Sequence, residues 1–303
     1  MTPGFRWVAA ATVAVLMIAQ AGPAPAAAAT KVFARYVVDG SPAGSHPDEP
    51  AVGPWRLGLR DGRLIRLTDA MFSTTSPSMP VLTPHGSQVA YYRKPDGAWI
   101  VRDLTTGKIR AVPGRFASGG GFCKLSPGGR FLVGCGQPYQ IVDSVTGQAH
   151  TLPAGQYDKL SFSPDNKHVL VHRRTDPGIT EVFSTETWAV VHRGTQVGAL
   201  RMGGSVVAYF DPGRPGYIRF WNLATGASAG SAIEVPAGEY PEALVWDRAG
   251  HLDVLTYMEN KYHHGLIVRP SGYRWRRANG GMRILDTFRI HAAHRSLAGV
   301  GRP

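Results

Sequence analysis

The chain has 303 residues, of which 37 are glycine and 23 proline. That is too much punctuation for an all-helical protein, and it follows no collagen-like period. Hydrophobic residues at 43% suffice for a core and exclude wholesale disorder. Charged residues are only 18%, yet the formal net charge is +12. Two cysteines exclude a disulfide-dense scaffold and a four-cysteine zinc site.

Residues 1–29 read as a secretory signal peptide. Arg6 is their only charge, Trp7 to Ala21 is an apolar run broken by Thr12 and Gln20, and small residues follow with Ala-x-Ala options ending near Ala28 or Ala29. This is the order of an export leader. The apolar run is short for a membrane span, which needs roughly 20 residues. An uncleaved N-terminal anchor is the alternative. No cysteine follows the run to accept a lipid. The expected location is therefore extracellular, for a secreted chain with no membrane span after cleavage.

From Lys31 onward two units alternate. The first is a polar turn feeding a short apolar strand: LTPHGSQVAYY from Leu82, LSPGGRFLVG from Leu125 and FSPDNKHVLV from Phe162, with weaker copies at Met202 and Trp246. The second is a strand, a tight turn and a strand, marked at Gly62, Gly107, Gly147, Thr187, Gly226 and Gly272 with spacings of 45, 40, 40, 39 and 46 residues. The apolar runs are too short for globular helices and are rich in Val, Ile, Tyr and Phe, as strands are. Glycine supplies the positive φ that tight turns need. Four strands in roughly 40 residues, repeated, is the pattern of a β-propeller blade.

These motifs resemble the TolB-type propeller repeat, a WD-repeat-like unit with a Ser-Pro-Asp-Gly turn. Ser126-Pro127-Gly128-Gly129 and Ser163-Pro164-Asp165-Asn166 carry the pattern best, and Leu67-Thr68 matches the end of a fourth strand. The Ala-rich leader is similar to those of secreted actinobacterial proteins. The fold class expected is all-β, a six-bladed β-propeller over residues 31–292, with residues 293–303 as a flexible C-terminal tail. Five units lie between Met79 and about Arg276. The three N-terminal strands then share the sixth sheet with one C-terminal strand, Met282 to Ile290, and this pairing closes the ring.

Cys123 and Cys135 flank the turn at Pro127 to Arg130. Facing residues of that hairpin have numbers summing to about 257 or 258, which places the two cysteines nearly opposite. A Cys123–Cys135 disulfide is expected after export; two buried free thiols are the alternative.

His263-His264 and His291/His294 read as solvated loop histidines, because adjacent residues of a strand point to opposite faces. No metal and no cofactor is expected. Single aspartates mark turns, and no nucleophile elbow, metal-binding helix motif or phosphate loop is present. Catalytic residues are therefore not assigned. If the protein is an enzyme, His85, Asp96, Asp176 and His263 are the residues to inspect.

Basic charge concentrates in the last 43 residues. Tyr273-Arg274-Trp275-Arg276-Arg277 interleaves cations and aromatics. Placed on an outermost strand, it presents Arg274 and Arg276 on one face, with Tyr273 and Trp275 against a neighbouring blade. This stretch is either a solubilising rim or a patch for an anionic cell-envelope polymer. Nucleic acid is not an expected partner. The functional expectation is a secreted, non-catalytic, monomeric binding or scaffolding propeller, contacting a protein or an anionic wall polymer. The alternative is a propeller lyase or hydrolase of extracellular glycans. The long loops joining second to third strands, and blade to blade, are the expected ligand face.

Overall fold

The computed structural model describes residues 32–40, 53–72, 79–114, 121–136, 138–153, 155, 157–174, 178–258, 272–279, 281–290 and 295–297. They hold no α-helix. Blade 1 begins with β1 (Ala34–Val38), β2 (Arg56–Leu59) and β3 (Leu64–Arg66). Blade 2 is β4 (Val81–Leu82), β5 (Gln88–Tyr92), β6 (Trp99–Asp103) and β7 (Ile109–Ala111). Blade 3 is β8 (Phe122–Leu125), β9 (Phe131–Gly134), β10 (Gln140–Asp143) and β11 (Ala149–Thr151). Blade 4 is β12 (Tyr157–Phe162), β13 (His168–Arg173), β14 (Ile179–Ser184) and β15 (Val190–Gly194). Blade 5 is β16 (Ala199–Leu200), β17 (Val206–Phe210), β18 (Tyr217–Asn222) and β19 (Ala227–Ser228), with β20 (Ile233–Glu234) also on β18. Blade 6 is β21 (Glu239–Trp246), β22 (Leu252–Met258), β23 (Gly272–Ala278) and β24 (Met282–Arg289). The last strand, β25 (Arg295–Leu297), pairs with β1 and completes blade 1 in the order β25-β1-β2-β3. All pairings are antiparallel, and the six sheets form a six-bladed propeller.

Two tight turns per blade have local causes. In the first, a hydroxyl accepts the amide five residues on: Thr83 from Gln88, Ser126 from Phe131 and Ser163 from His168. These three hydroxyl residues are fully buried, so the Ser-Pro turn satisfies a backbone donor that water cannot reach. In the second turn, Asp103, Asp143, Ser184 and Asn222 each accept amides two and three residues later, as short polar turn formers do. Gly107, Gly147 and Gly226 close three of these turns at positive φ; in blade 4 Trp188 takes that conformation instead, one residue past the expected marker Thr187.

Each blade interface holds its own apolar cluster. Val89 and Tyr91 of β5 pack toward blade 1, while Ala90 between them packs toward blade 3. Val169 and Val171 of β13 meet blade 3, and Leu170 meets blade 5. A middle strand is thus buried on both faces, which is why it reads as a continuous apolar run rather than an alternating one. The outer strands β3 and β7 are exposed throughout.

The closing strand differs from expectation. Met282–Arg289 is the outer strand of blade 6, and the strand that meets β1 is Arg295–Leu297, from the region expected to be a flexible tail. Gly272 is not a turn: it begins β23, and the tight turn lies at Asn279–Gly281. Leu297 is buried in the cluster between blades 6 and 1. The propeller therefore extends past residue 292.

Candidate functional site

The cysteines are not joined. A bulge in β8 shifts the register between Phe122 and Lys124, so that Phe122 faces Gly134 and Lys124 faces Val133. Cys123 sits in the bulge, its thiol 3.6 Å from the Val133 carbonyl, and Cys135 lies just past β9, its amide donating to Gly121. The bulge corrects the regular register from which an opposed pair was expected.

The basic stretch is turned inward. It lies on β23, the third strand of blade 6 rather than the outermost. The expected alternation holds: Tyr273 and Trp275 are buried against blade 1. Arg274 and Arg276, on the other face, both bind Glu239. Arg276 donates to both Glu239 oxygens, at 2.7 and 2.5 Å, and the Thr256 hydroxyl donates at 2.6 Å. Burial works against the Glu239 carboxylate, but these donors outweigh it and hold the carboxyl down at about 2. Arg277 pairs with Asp253 at 2.8 Å and Asp247 at 2.9 Å. An open cationic face is therefore not what this stretch provides.

Of the four residues singled out for an enzyme, the two described ones, His85 and Asp96, lie at opposite ends of β5. Asp96 is exposed on the β5–β6 loop and paired with Arg93. His85 is in the β4–β5 turn on the opposite side, its Nε2 buried without a partner; burial pushes its pKa down, against the opposing pull of Asp253. Asp176 and His263 lie outside the described residues, as do His264, His291 and His294. Among the described residues no group of three or more His, Cys, Asp or Glu could hold a metal ion.

The structure points instead to the central channel. The innermost strand of each blade has an edge with no further strand to pair it, so its polar groups need other partners. Three side chains supply them between blades. Lys124 Nζ on β8 donates to the Leu160 carbonyl of β12 at 2.5 Å. Ser161 Oγ on β12 accepts the Leu200 amide of β16 at 3.3 Å. Trp246 Nε1 on β21 donates to the Ala199 carbonyl of β16 at 3.2 Å.

One end of the channel is crowded by turns. Arg248 of blade 6 reaches the Pro164 carbonyl of blade 4 at 3.4 Å, and the Gly128 amide of blade 3 donates to Asn166 Oδ1 at 3.3 Å. A side chain at Gly128 would run into Asn166 at 2.3 Å. Toward the loop-bearing side lies a cavity of about 160 Å3, lined by Lys124, Lys159, Ser161, Glu242 and apolar residues including Leu160 and Phe210. Burial holds the Lys124 amine down at about 8, and the like charge of Lys159 adds to the effect. The signal for Lys124 was present in the repeat. The residue before the Leu-Thr, Leu-Ser or Phe-Ser pair is Val81 in blade 2 and Ser161 in blade 4, and only in blade 3 is it a cation.

Two grooves adjoin this cavity. One, of about 500 Å3, runs between blades 5 and 6 past Pro212, Tyr217, Pro236, Glu239 and Tyr240. The other, of about 530 Å3, lies between blades 4 and 5 along Thr195, Gln196 and Arg219. The half-buried ring of Phe210 lines all three concavities. Tyr240 is exposed and stacks on Tyr257 with ring centroids 5.3 Å apart. Arg214 lies over the Tyr217 ring, 3.8 Å from its centroid.

No protein-family model matches the chain, and no curated protein matches it. Solved structures do. TolB from Acinetobacter baumannii is similar at 16% identity and a TM-score of 0.50, over 90% of this chain and 66% of that one. The chain thus spans just under two thirds of that structure. A TolB protein of Agrobacterium tumefaciens is similar at 12% identity and a TM-score of 0.48, over 85% of this chain and 90% of the other. An oligogalacturonate lyase in complex with manganese is similar at 16% identity and a TM-score of 0.41, over 69% and 64%. At these identities the likeness is one of fold, and fold alone does not assign function. In fold, the chain is a six-bladed β-propeller, and it is similar to TolB in that fold alone.

Proposed function

We propose that the protein is a binding propeller, exported and acting at the cell envelope, whose ligand is a segment of another protein. Its ligand face is the loop-bearing side of blades 4 to 6. The observation that carries this reading is the meeting of three concavities at Phe210. An aromatic ring at the centre of a concave surface, with tyrosines beside it, is the composition of a binding hot spot. The internal pairing of Arg274, Arg276 and Arg277 argues against a wall polymer as the ligand of that stretch.

The test compares the immobilised mature protein with its Phe210→Ala variant on an extract of the producer's envelope. A partner retained by the first and lost by an equally stable variant supports this face. Equal retention rejects it, and turnover of wall glycans by the purified protein rejects a purely binding role. Export rests on residues 1–29, and intact mass of secreted protein tests it: a chain still beginning at Met1 and held in the membrane fails it. In an oxidising compartment Cys123 and Cys135 close to a disulfide once the β8 bulge adjusts. Two thiols titrating in the denatured, unreduced secreted protein would refute that.

A further inference from the structure

We propose that Lys124 and Lys159 form a carboxylate site inside the channel. The inference rests on the ligand face argued above and names the chemistry that face accepts. Lys124 is a half-buried cation whose described contact is a neutral carbonyl, that of Leu160. Among the described residues no carboxylate lies within ion-pair distance of it. An ammonium withdrawn from water without a counter-charge is costly, and a ligand anion supplies what the blade does not. Lys159, on the adjacent inner strand, lines the same cavity and adds a second positive charge. The Ser161 hydroxyl accepts the Leu200 amide, which leaves its hydrogen free to donate to an anion.

The shape selects further. A cavity of about 150 Å3 holds a benzene-sized molecule, and this one is about 160 Å3. Its walls beside the lysines are apolar, among them Leu160, Leu244 and Phe210. The fitting ligand is one carboxylate on a short apolar stem. Such a group comes either from a small free acid or from the terminus of a protein segment entering along the groove.

The charged and titratable groups around Lys124 are Cys123 on its own strand, Lys159 on β12 and Glu242 on β21. A bound anion favours the protonated amine, so binding should weaken as pH rises past the value where free Lys124 loses its proton.

Isothermal titration calorimetry with benzoate, and with benzyl alcohol as the neutral control, tests the site on the mature protein. Benzoate should bind one to one at pH 7, at least about tenfold more tightly than at pH 9.5. Lys124→Met should lose about tenfold or more at pH 7. Lys124→Arg should keep the affinity and lose the pH dependence, because arginine stays charged; it also serves if the methionine variant does not fold. An acetylated tetrapeptide ending in leucine, with its terminal carboxylate free or amidated, separates the sources. Tighter binding of the free-acid peptide than of benzoate assigns the site to a chain terminus; the reverse assigns it to a small acid. Benzyl alcohol binding as tightly as benzoate, unchanged affinity in Lys124→Met, or no saturable binding of any carboxylate overturns the proposal. The partner lost with Phe210→Ala is read separately, so a failed carboxylate site and a failed ligand face remain distinct results.

Discussion

Glu239 accepts hydrogen bonds from Arg276 through both of its oxygens, and both partners are buried. This one pair turns part of the most basic stretch of the chain inward, across three strands of blade 6. Breaking such a pair leaves a buried charge with too few partners.

Glu239→Gln should therefore lower stability by about 3 kcal/mol, and Arg276→Met by a similar amount. Urea denaturation reads both. The same pair predicts a pH dependence. The folded carboxyl sits at about 2 against an ordinary 4.5. A depressed carboxylate stabilises fully above the unfolded value and loses that contribution as pH falls through the folded one. Wild-type stability should decline from about pH 4.5 toward pH 2, and Glu239→Gln should flatten that part of the profile.

Gly86 and Gly62 are both at positive φ, but only one is enclosed. A Cβ on Gly86 would lie 1.7 Å from the Ala34 carbonyl oxygen, while one on Gly62 meets nothing within 4 Å. The Ala34 amide also donates to the Gly86 carbonyl at 2.7 Å, which ties blade 1 to blade 2. Gly62→Ala should cost about 1 kcal/mol of backbone strain. Gly86→Ala should cost several times more, or prevent folding, because backbone must move. Urea midpoints of the two variants decide it.

Ring closure predicts the effect of a truncation. Ending the chain at Ile290 removes β25, uncovers the inner edge of β1 and takes Leu297 out of the cluster between blades 6 and 1. The truncated chain should lose its cooperative thermal transition. Leu285→Asp, on the exposed side of β24, should leave it within about 0.5 kcal/mol of the parent. If the second change were as damaging as the first, β24 would be the closing strand.

Arg277 is held by Asp253 and Asp247. Arg277→Ala should destabilise the fold while eluting from a heparin column at nearly the parent's salt concentration. A large shift to lower salt in a folded variant would restore this residue to a polyanion-binding role.

Much of the fold was legible before the structure. Turn glycines at spacings near 40 residues, and apolar runs too short for helices, established strands, blades and the count of six. The Ser-Pro turns were legible because their cause is local: the hydroxyl bonds an amide five residues away. What failed was the last repeat. Gly272 resembles the other turn glycines, yet it starts a strand, because β22 and β23 are long and pair along seven residues each. That shift moved β24 to the outside and left β25 to close the ring.

The site was far less legible. Lys124 stands out once the repeats are aligned, but its meaning depends on Leu160, Lys159 and Phe210, which arrive from other blades. The basic pentad showed its alternation in the sequence; that Glu239 waits opposite Arg276 did not show, since the two are 37 residues apart. Composition and periodicity by themselves determined that this protein is an all-β propeller, because strand and turn preferences act over a few residues. Tertiary structure alone decided which strand closes the ring, which arginines are paired, and which lysine faces a cavity, because these depend on charges and volumes brought together only when the blades close around the axis.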